Sequence, residues 1–221
     1  MYHLKQEPTI FITFIYRGLF FQVKKTLQAR NGVGDITMED LERVIENASQ
    51  QGAEYCDVRY VTNRKEEIEV RNANPERVVS QVRKGYGVRV LCLGAWGFAA
   101  GQDPEFAVHM ALKLARASAL TKKKDVKLAA TKSYEDSWES PIKKDPFSIP
   151  IEEKVSLLVD CSRAMAMEEH IRVSYAGIGS HEQEKWFFSS NGARIHQKIV
   201  YCGGVITAIS VKGGEAQQRS Y

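Results

Sequence analysis

The sequence predicts an α+β fold of two helix-plus-antiparallel-meander halves, a curved, mostly antiparallel sheet with covering helices. Three observations predict it. The first is the stretch Gly85-Tyr-Gly-Val-Arg-Val-Leu-Cys-Leu-Gly-Ala-Trp-Gly-Phe-Ala-Ala-Gly101. It reads as two strands, 88–93 and 96–100, folded back at Leu93-Gly94-Ala95, because Val88, Val90 and Cys92 alternate with Arg89, Leu91 and Leu93. The second is that a helix followed by strands occurs twice, in 37–101 and 150–211, as a divergent repeat would. The third is the polar stretch between them, with Pro141, Pro146 and Pro150 and no period. The chain therefore divides into an extension, 1–36; a first α+β half, 37–133; a linker, 134–149; and a second half, 150–221.

The elements follow in order. Thr37 is an N-cap with Glu39 and Asp40 in the first turn, and Leu41, Val44, Ile45 and Ala48 form one apolar helical stripe that Gly52 ends. Strands are expected at 56–62 and 67–71 around a turn at Asn63-Arg64-Lys65, then at 77–83 after a break at 72–75. In the hairpin, Trp96 and Phe98 share a face, while Gly97, Ala99 and Gly101 leave the other face bare enough for a helix to approach. Gly85, Gly87 and Gly94 are expected to supply positive φ or a bulge. Asp103-Pro104 opens the next helix, with a small-residue stripe of Ala107, Met110, Ala111, Leu114 and Ser118, and Lys122-Lys-Lys124 closes it. Pro150 opens a helix with the stripe Ile151, Val155, Leu158, Val159, Ser162 and Ala166. Strands are expected at 172–179, 185–189, 194–201 and 205–211, with a type I′ turn at Ser190-Asn191-Gly192.

Composition is that of an ordinary globular protein, 43% hydrophobic and 26% charged over 221 residues, ample for a core. Most of the net charge of +4 lies before Thr37, in Lys5, Arg17, Lys24, Lys25 and Arg30. The rest is nearly neutral, so direct nucleic-acid binding is not expected. The apolar run 10–23 is interrupted by Arg17 and is too short for a bilayer, so no membrane association is expected. Lys24-Lys25 stands where a signal peptide would have small residues, so 1–36 reads as an extension peculiar to this chain or an early start codon. Cys56, Cys92, Cys161 and Cys202 are far apart in apolar settings, as buried free thiols of a reducing cytoplasm would be.

Reactive chemistry is sparse. His181-Glu182 lacks the second histidine one turn later that a helical zinc site needs, and Glu168-Glu169-His170 has no third ligand nearby. No G-x-S-x-G, catalytic Cys–His pair or phosphate loop is present. No catalytic or metal-binding residue and no cofactor is assigned to this chain.

The order Gly85-Tyr-Gly-Val-Arg-Val, then Gly94-Ala-Trp-Gly-Phe-Ala-Ala, resembles the N-terminal region of the TldD/PmbA family. The likeness runs from Thr37 to Tyr221 and takes in Glu54-Tyr-Cys-Asp-Val-Arg-Tyr, the helix at 150–167, the Asn191-Gly192 meander and the closing Lys212-Gly-Gly-Glu-Ala-Gln-Gln-Arg-Ser220. The closing segment is more similar to the TldD side. The resemblance implies the N-terminal, substrate-enclosing part of a zinc-dependent peptidase that acts on peptides inside a closed dimer, with itself or with a TldD/PmbA-type subunit. Zinc is expected in a C-terminal domain with a His-Glu-x-x-x-His motif, which this sequence, ending at Tyr221, does not contain. Gly213, Gly214, Glu215 and Arg219 are groove candidates: the glycines leave backbone exposed to a peptide, Arg219 suits a carboxylate and Glu215 an amine. The family's historical association with DNA gyrase supplies the alternative, a regulatory module without its own active site.

Overall fold

A computed structural model describes residues 37–221, so the expectation for 1–36 lies outside the described residues. Helix α1 (Met38–Gln50) leads into a hairpin of two long strands, β1 (Tyr55–Arg71) and β2 (Asn74–Cys92), and a short third strand, β3 (Ala95–Gly101). Helix α2 (Pro104–Ala119) and edge strand β4 (Glu135–Glu139) follow. The plan then recurs: α3 (Ile151–Ala166), long strands β5 (Ile171–Ser189) and β6 (Arg194–Lys212), and short β7 (Glu215–Ser220). The strands form one sheet, β3-β2-β1-β5-β6, in which β6 shares its outer edge between β4 and β7. Every pairing is antiparallel except β4 with β6. The fold class is α+β, and the two halves are joined into a single sheet by the β1–β5 pairing, which runs from Asp57↔Ser189 to Arg71↔Tyr175.

Local chemistry explains the ends of the elements. Thr37 Oγ1 accepts from the Asp40 amide while the Asp40 carboxylate accepts from the Thr37 amide, a reciprocal cap that holds the Asp40 carboxyl below its ordinary range. Asp103 accepts from the Glu105 and Phe106 amides ahead of Pro104. Leu93 and Gly94, at φ 52° and 66°, make the β2–β3 turn, and Gly213 and Gly214, at 58° and 84°, make the β6–β7 turn.

Several expected boundaries are corrected. Asn63-Arg64-Lys65 is mid-strand, and 77–83 and 88–93 belong to the one strand β2. The turn before it is Asn72-Ala73 alone, with Pro75 in the strand beside a register shift. Likewise, 172–179 and 185–189 are one strand, as are 194–201 and 205–211. Between Ser190 and Gly192 only Gly192 has positive φ, so this loop is not type I′. Its Gly192 amide donates to the Ser189 carbonyl, as in a type I turn closed by a left-handed glycine. The linker contains β4. Lys122 lies beyond α2 and donates to the Leu93 carbonyl of the hairpin. Cys56 and Cys92 are buried, but Cys202 is exposed on an uncovered part of β6.

All three helices cover the sheet face that carries Cys56, Val58, Ile68 and Val70. At one end α1 and α2 enclose a core with Val88, Val90 and Phe188. The α2 stripe is rotated from the expected one: Val108, Leu112 and Ala115 are buried with Ala107 and Ala111, while Leu114 and Ser118 are exposed. It packs on Gly97 so closely that a methyl there would overlap the Ala111 carbonyl oxygen and come 2.5 Å from the Ala115 nitrogen. At the other end α3 covers a smaller cluster, with Leu158 against Ile68, Val70 and Ala176; the expected Ala166 is exposed. By strand alternation the opposite face, with Asp57 and Arg59, has no helix on it among the described residues.

Candidate functional site

The hairpin residues singled out in the sequence come together on that open face as a structural network. Buried Asp57 accepts from Arg89 Nε and Nη2 at 2.8 and 2.6 Å and from Arg59 Nη1 at 2.7 Å. Arg89 lies 4.7 Å from the Trp96 ring centroid, and Arg59 lies 4.8 Å from that of Phe187. Trp96 in turn meets Tyr55 edge-on at 5.8 Å. Phe98 is exposed on the same face, its ring 3.4 Å from where a side chain at Gly87 would begin. Gly85 and Gly87 do not have positive φ; they are extended strand residues, and the conformational role falls to Gly94. An aspartate shared by two arginines leaves one positive charge in this network.

Beside this network, four strands enclose an open groove of about 310 Å³. Two cross-strand rows build it. Arg59, Phe187, Ile195 and Asp136 stand in register across β1, β5, β6 and β4, and beside them Lys185, Gln197 and Trp138 run across β5, β6 and β4. Arg59 stands at one end, the floor has an apolar row of Phe187 and Ile195 beside a polar row of Lys185 and Gln197, and Asp136 closes the other end. Sequence reasoning missed it because it is assembled only by register between strands distant in the chain. On the opposite face β4 is pinned: Ser137 Oγ is 3.0 Å from His196 Nδ1, and His196 Nε2 is 2.9 Å from Glu184. Trp186 stacks on the imidazole at 4.0 Å. The His196 hydrogen bond holds the Glu184 carboxyl below its usual value.

The groove candidates of the C-terminal segment lie on β7 and its turn. This segment is a paired strand against β6, from Lys212↔Glu215 to Thr207↔Ser220. Glu215 and Arg219 are exposed, and Arg219 Nη1 donates to the adjacent Gln218 carbonyl at 3.1 Å. His181 is half-buried and stacks on Tyr201 at 4.9 Å; Glu182 pairs with Lys198 at 3.0 Å. Among the described residues no three His, Cys, Asp or Glu side chains converge as metal ligands, so these residues do not fit the expected zinc. No described helix is long and apolar enough to cross a membrane.

Residue 154 was also missed. Lys154 of α3 is buried against Glu66 of β1 at 2.6 Å, with Phe147 of the linker 5.8 Å from its nitrogen. Arg64 lies on the same ring at 4.4 Å. The pair clamps α3 to the sheet and carries no exposed reactive atom.

Comparison with known proteins agrees with this architecture. A metalloprotease of Methanocaldococcus jannaschii is 25% identical over 189 residues, covering 82% of this chain and 40% of that protein. One of Methanothermobacter thermautotrophicus is 26% identical, covering 84% of this chain and 38% of its own. The chain thus spans about two fifths of the curated relatives it matches. A Thermotoga maritima structure, described as a candidate modulator of a DNA gyrase, superposes with TM-score 0.68 at 16% identity, covering 84% of this chain and 42% of that one. TldE from Thermococcus kodakarensis gives 0.61 at 13% identity, covering 81% and 42%. The model of PmbA/TldA metallopeptidase domain 1 matches residues 56–119, and that of the PmbA/TldA metallopeptidase central domain matches 144–221. With both models in consecutive order over more than half its length, this chain belongs to the PmbA/TldD metallopeptidase family.

Proposed function

We propose that this chain is the N-terminal, substrate-enclosing and dimer-forming part of a zinc-dependent peptidase that acts on peptides, with the zinc held outside the described residues. The observation that carries this is the pair of consecutive family domains on a chain spanning two fifths of relatives named metalloproteases. The chain contributes shape and binding groups; the zinc supplies the Lewis acid when bound elsewhere in the assembly. Its partner is a second copy or a TldD/PmbA-type subunit, and four free thiols support a reducing cytoplasm. The test is peptide cleavage with zinc by the 221-residue chain, alone and joined to a relative's metal domain. Background rates alone and cleavage when joined are expected; robust metal-dependent cleavage by the chain alone would place the active site here instead. In the joined protein, Gly213→Val and Arg219→Ala are expected to raise KM if β7 edges the peptide.

The description of the Thermotoga maritima neighbour as a candidate gyrase modulator motivates a second reading, a regulatory module without an active site. Near-neutral charge from Thr37 onward opposes direct DNA contact. A duplex-DNA titration decides: affinity falling steeply with salt, by a slope worth several phosphates, would favour this reading.

A further inference from the structure

We propose that the groove between β1, β5, β6 and β4 binds a short peptide of about three residues through its two free termini, with an apolar side chain on the floor. The argument is positional. The register rows put Arg59 of β1 at one end and Asp136 of β4 at the other, with Phe187 and Ile195 between, Lys185 one strand in from Arg59 on β5, and Trp138 at the rim. Three strand spacings separate β1 from β4, roughly 14 Å between backbones, and the end groups reach inward to close that span on a tripeptide's length. Volume agrees, since about 310 Å³ suits a ligand of this size.

Charge is ordered for a zwitterion. Arg59 is pre-oriented, with one nitrogen on Asp57 and its plane over Phe187, so fixing it on a carboxylate costs little further side-chain entropy. Lys185 has no ion pair among the described residues, and a carboxylate would give it one. Asp136 takes the Ser137 amide on Oδ1 at 2.8 Å and keeps its other oxygen for an ammonium. The Ser137–His196–Glu184 chain behind β4 positions Asp136 and Trp138 without touching the ligand. This inference gives the peptide substrate or product of the proposed peptidase a place on this chain. It is read by binding alone, so it stands or falls without any cleavage.

The experiment uses the 221-residue chain, the tripeptide Ala-Leu-Phe, its C-terminal amide and its N-acetyl form, followed by the indole N–H signals of Trp96, Trp138 and Trp186. Saturable movement of the Trp138 signal is expected, weakened about tenfold by the C-terminal amide and severalfold by N-acetylation. Lys185→Gln and Arg59→Gln should erase the preference for acid over amide, and Asp136→Asn the preference for free over acetylated amine. Lys185→Gln leaves the Asp57 network intact, so it reads the carboxylate contact even if Arg59→Gln loosens the fold. A further arm, an amidated, acetylated peptide with an internal glutamate, distinguishes a side-chain carboxylate. No Trp138 shift at millimolar peptide, equal affinity for all forms, equal binding of the internal glutamate, or preferences that survive the substitutions would each overturn the proposal.

Discussion

Helix, long strand, long strand, short strand occurs twice in this chain, and the two copies are finished differently. In the first, the turn Leu93-Gly94 sends β3 back under α2. In the second, the turn Gly213-Gly214 sends β7 back along β6, and all of β7 is exposed among the described residues. The strands they return along differ to match. Val88, Val90 and Cys92 of β2 are buried, whereas their counterparts before the second turn are Ala208, Ser210 and Lys212. A backbone plan can thus be repeated while the hydrophobic pattern decides which copy carries a core. The first copy is the anchor, with the larger core, and the second leaves its last strand exposed among the described residues.

The sharpest test sets two equivalent positions against each other, Gly97 third in β3 and Gln217 third in β7. Gly97→Val must push α2 off the sheet, because the clash is with backbone atoms that have no rotamer to escape into. Overpacking of this kind is expected to cost about 3 kcal/mol or more. Gln217→Val adds a side chain on open surface and is expected to stay within about 0.5 kcal/mol. Urea unfolding of the two variants checks the contrast; equal losses would mean that β7 is covered in solution.

Next is the buried pair under α3. Lys154→Met leaves the Glu66 carboxylate without its main partner in a dry site, an expected loss of about 3 kcal/mol. Adding Glu66→Leu should recover most of it, since apolar replacement of a whole buried pair is often neutral. Arg64, 3.6 Å from Glu66, limits the single loss, so a double-mutant cycle including Arg64→Ala apportions it. If the double variant is no better than the single, the pair is not what holds α3.

How much of this was legible follows from where the information sits. Caps are local, and Thr37 and Asp103-Pro104 declared both helix starts correctly. The mid-strand triplet Asn63-Arg64-Lys65 read as a turn because it is polar. It is held extended by partners far away in the chain: its backbone pairs with residues 81–83 of β2 and 181–183 of β5, and Gln183 donates to Asn63, while Arg64 and Lys65 pair with Glu66 and Glu67 along the strand. Polar β4 was invisible for the same reason, since only its register with Arg194 to Lys198 makes it a strand. Lys154 was missed because a helical stripe is read from apolar residues, and its burial depends on Glu66. The groove combines these cases: every residue in it comes from pairing that no local pattern records.

A pH experiment sharpens the anchor's side of the comparison. Burial, reinforced by neighbouring Asp57, pushes the Cys56 thiol from its ordinary 9.0 up to about 12. The folded value lies above the unfolded one, so this contribution is fully present below pH 9 and is lost as pH rises toward 12. By pH 11 the loss attributable to Cys56 is about 2.5 kcal/mol. Cys56→Ala should flatten the alkaline fall in stability between pH 9 and 11, although it is less stable at neutral pH. Identical alkaline profiles for Cys56→Ala and the parent would place the sensitivity elsewhere, with Tyr86, also raised to about 12, as the next group to change.

The smallest expected effect belongs to the free copy. Gly213 sits at φ 58° with nothing within 4 Å of where a side chain would begin, so Gly213→Val meets no clash and suffers only backbone strain. A β-branched residue in the left-handed region costs about 1–2 kcal/mol. That strain can be relieved by releasing β7 alone, because β7 buries no side chain and is held by its ladder with β6. The expected outcome is therefore local: amide exchange accelerates in residues 215–220, while the global urea midpoint barely moves. Gly94→Val provides the comparison. Its φ is 66°, but a side chain there would also meet Asp125 at 2.8 Å and Lys122 at 2.9 Å, and β3 cannot leave without uncovering α2. That variant should lower the global midpoint. If Gly213→Val does so too, β7 is part of the cooperative fold, and the second copy is closed more tightly than its exposed residues suggest.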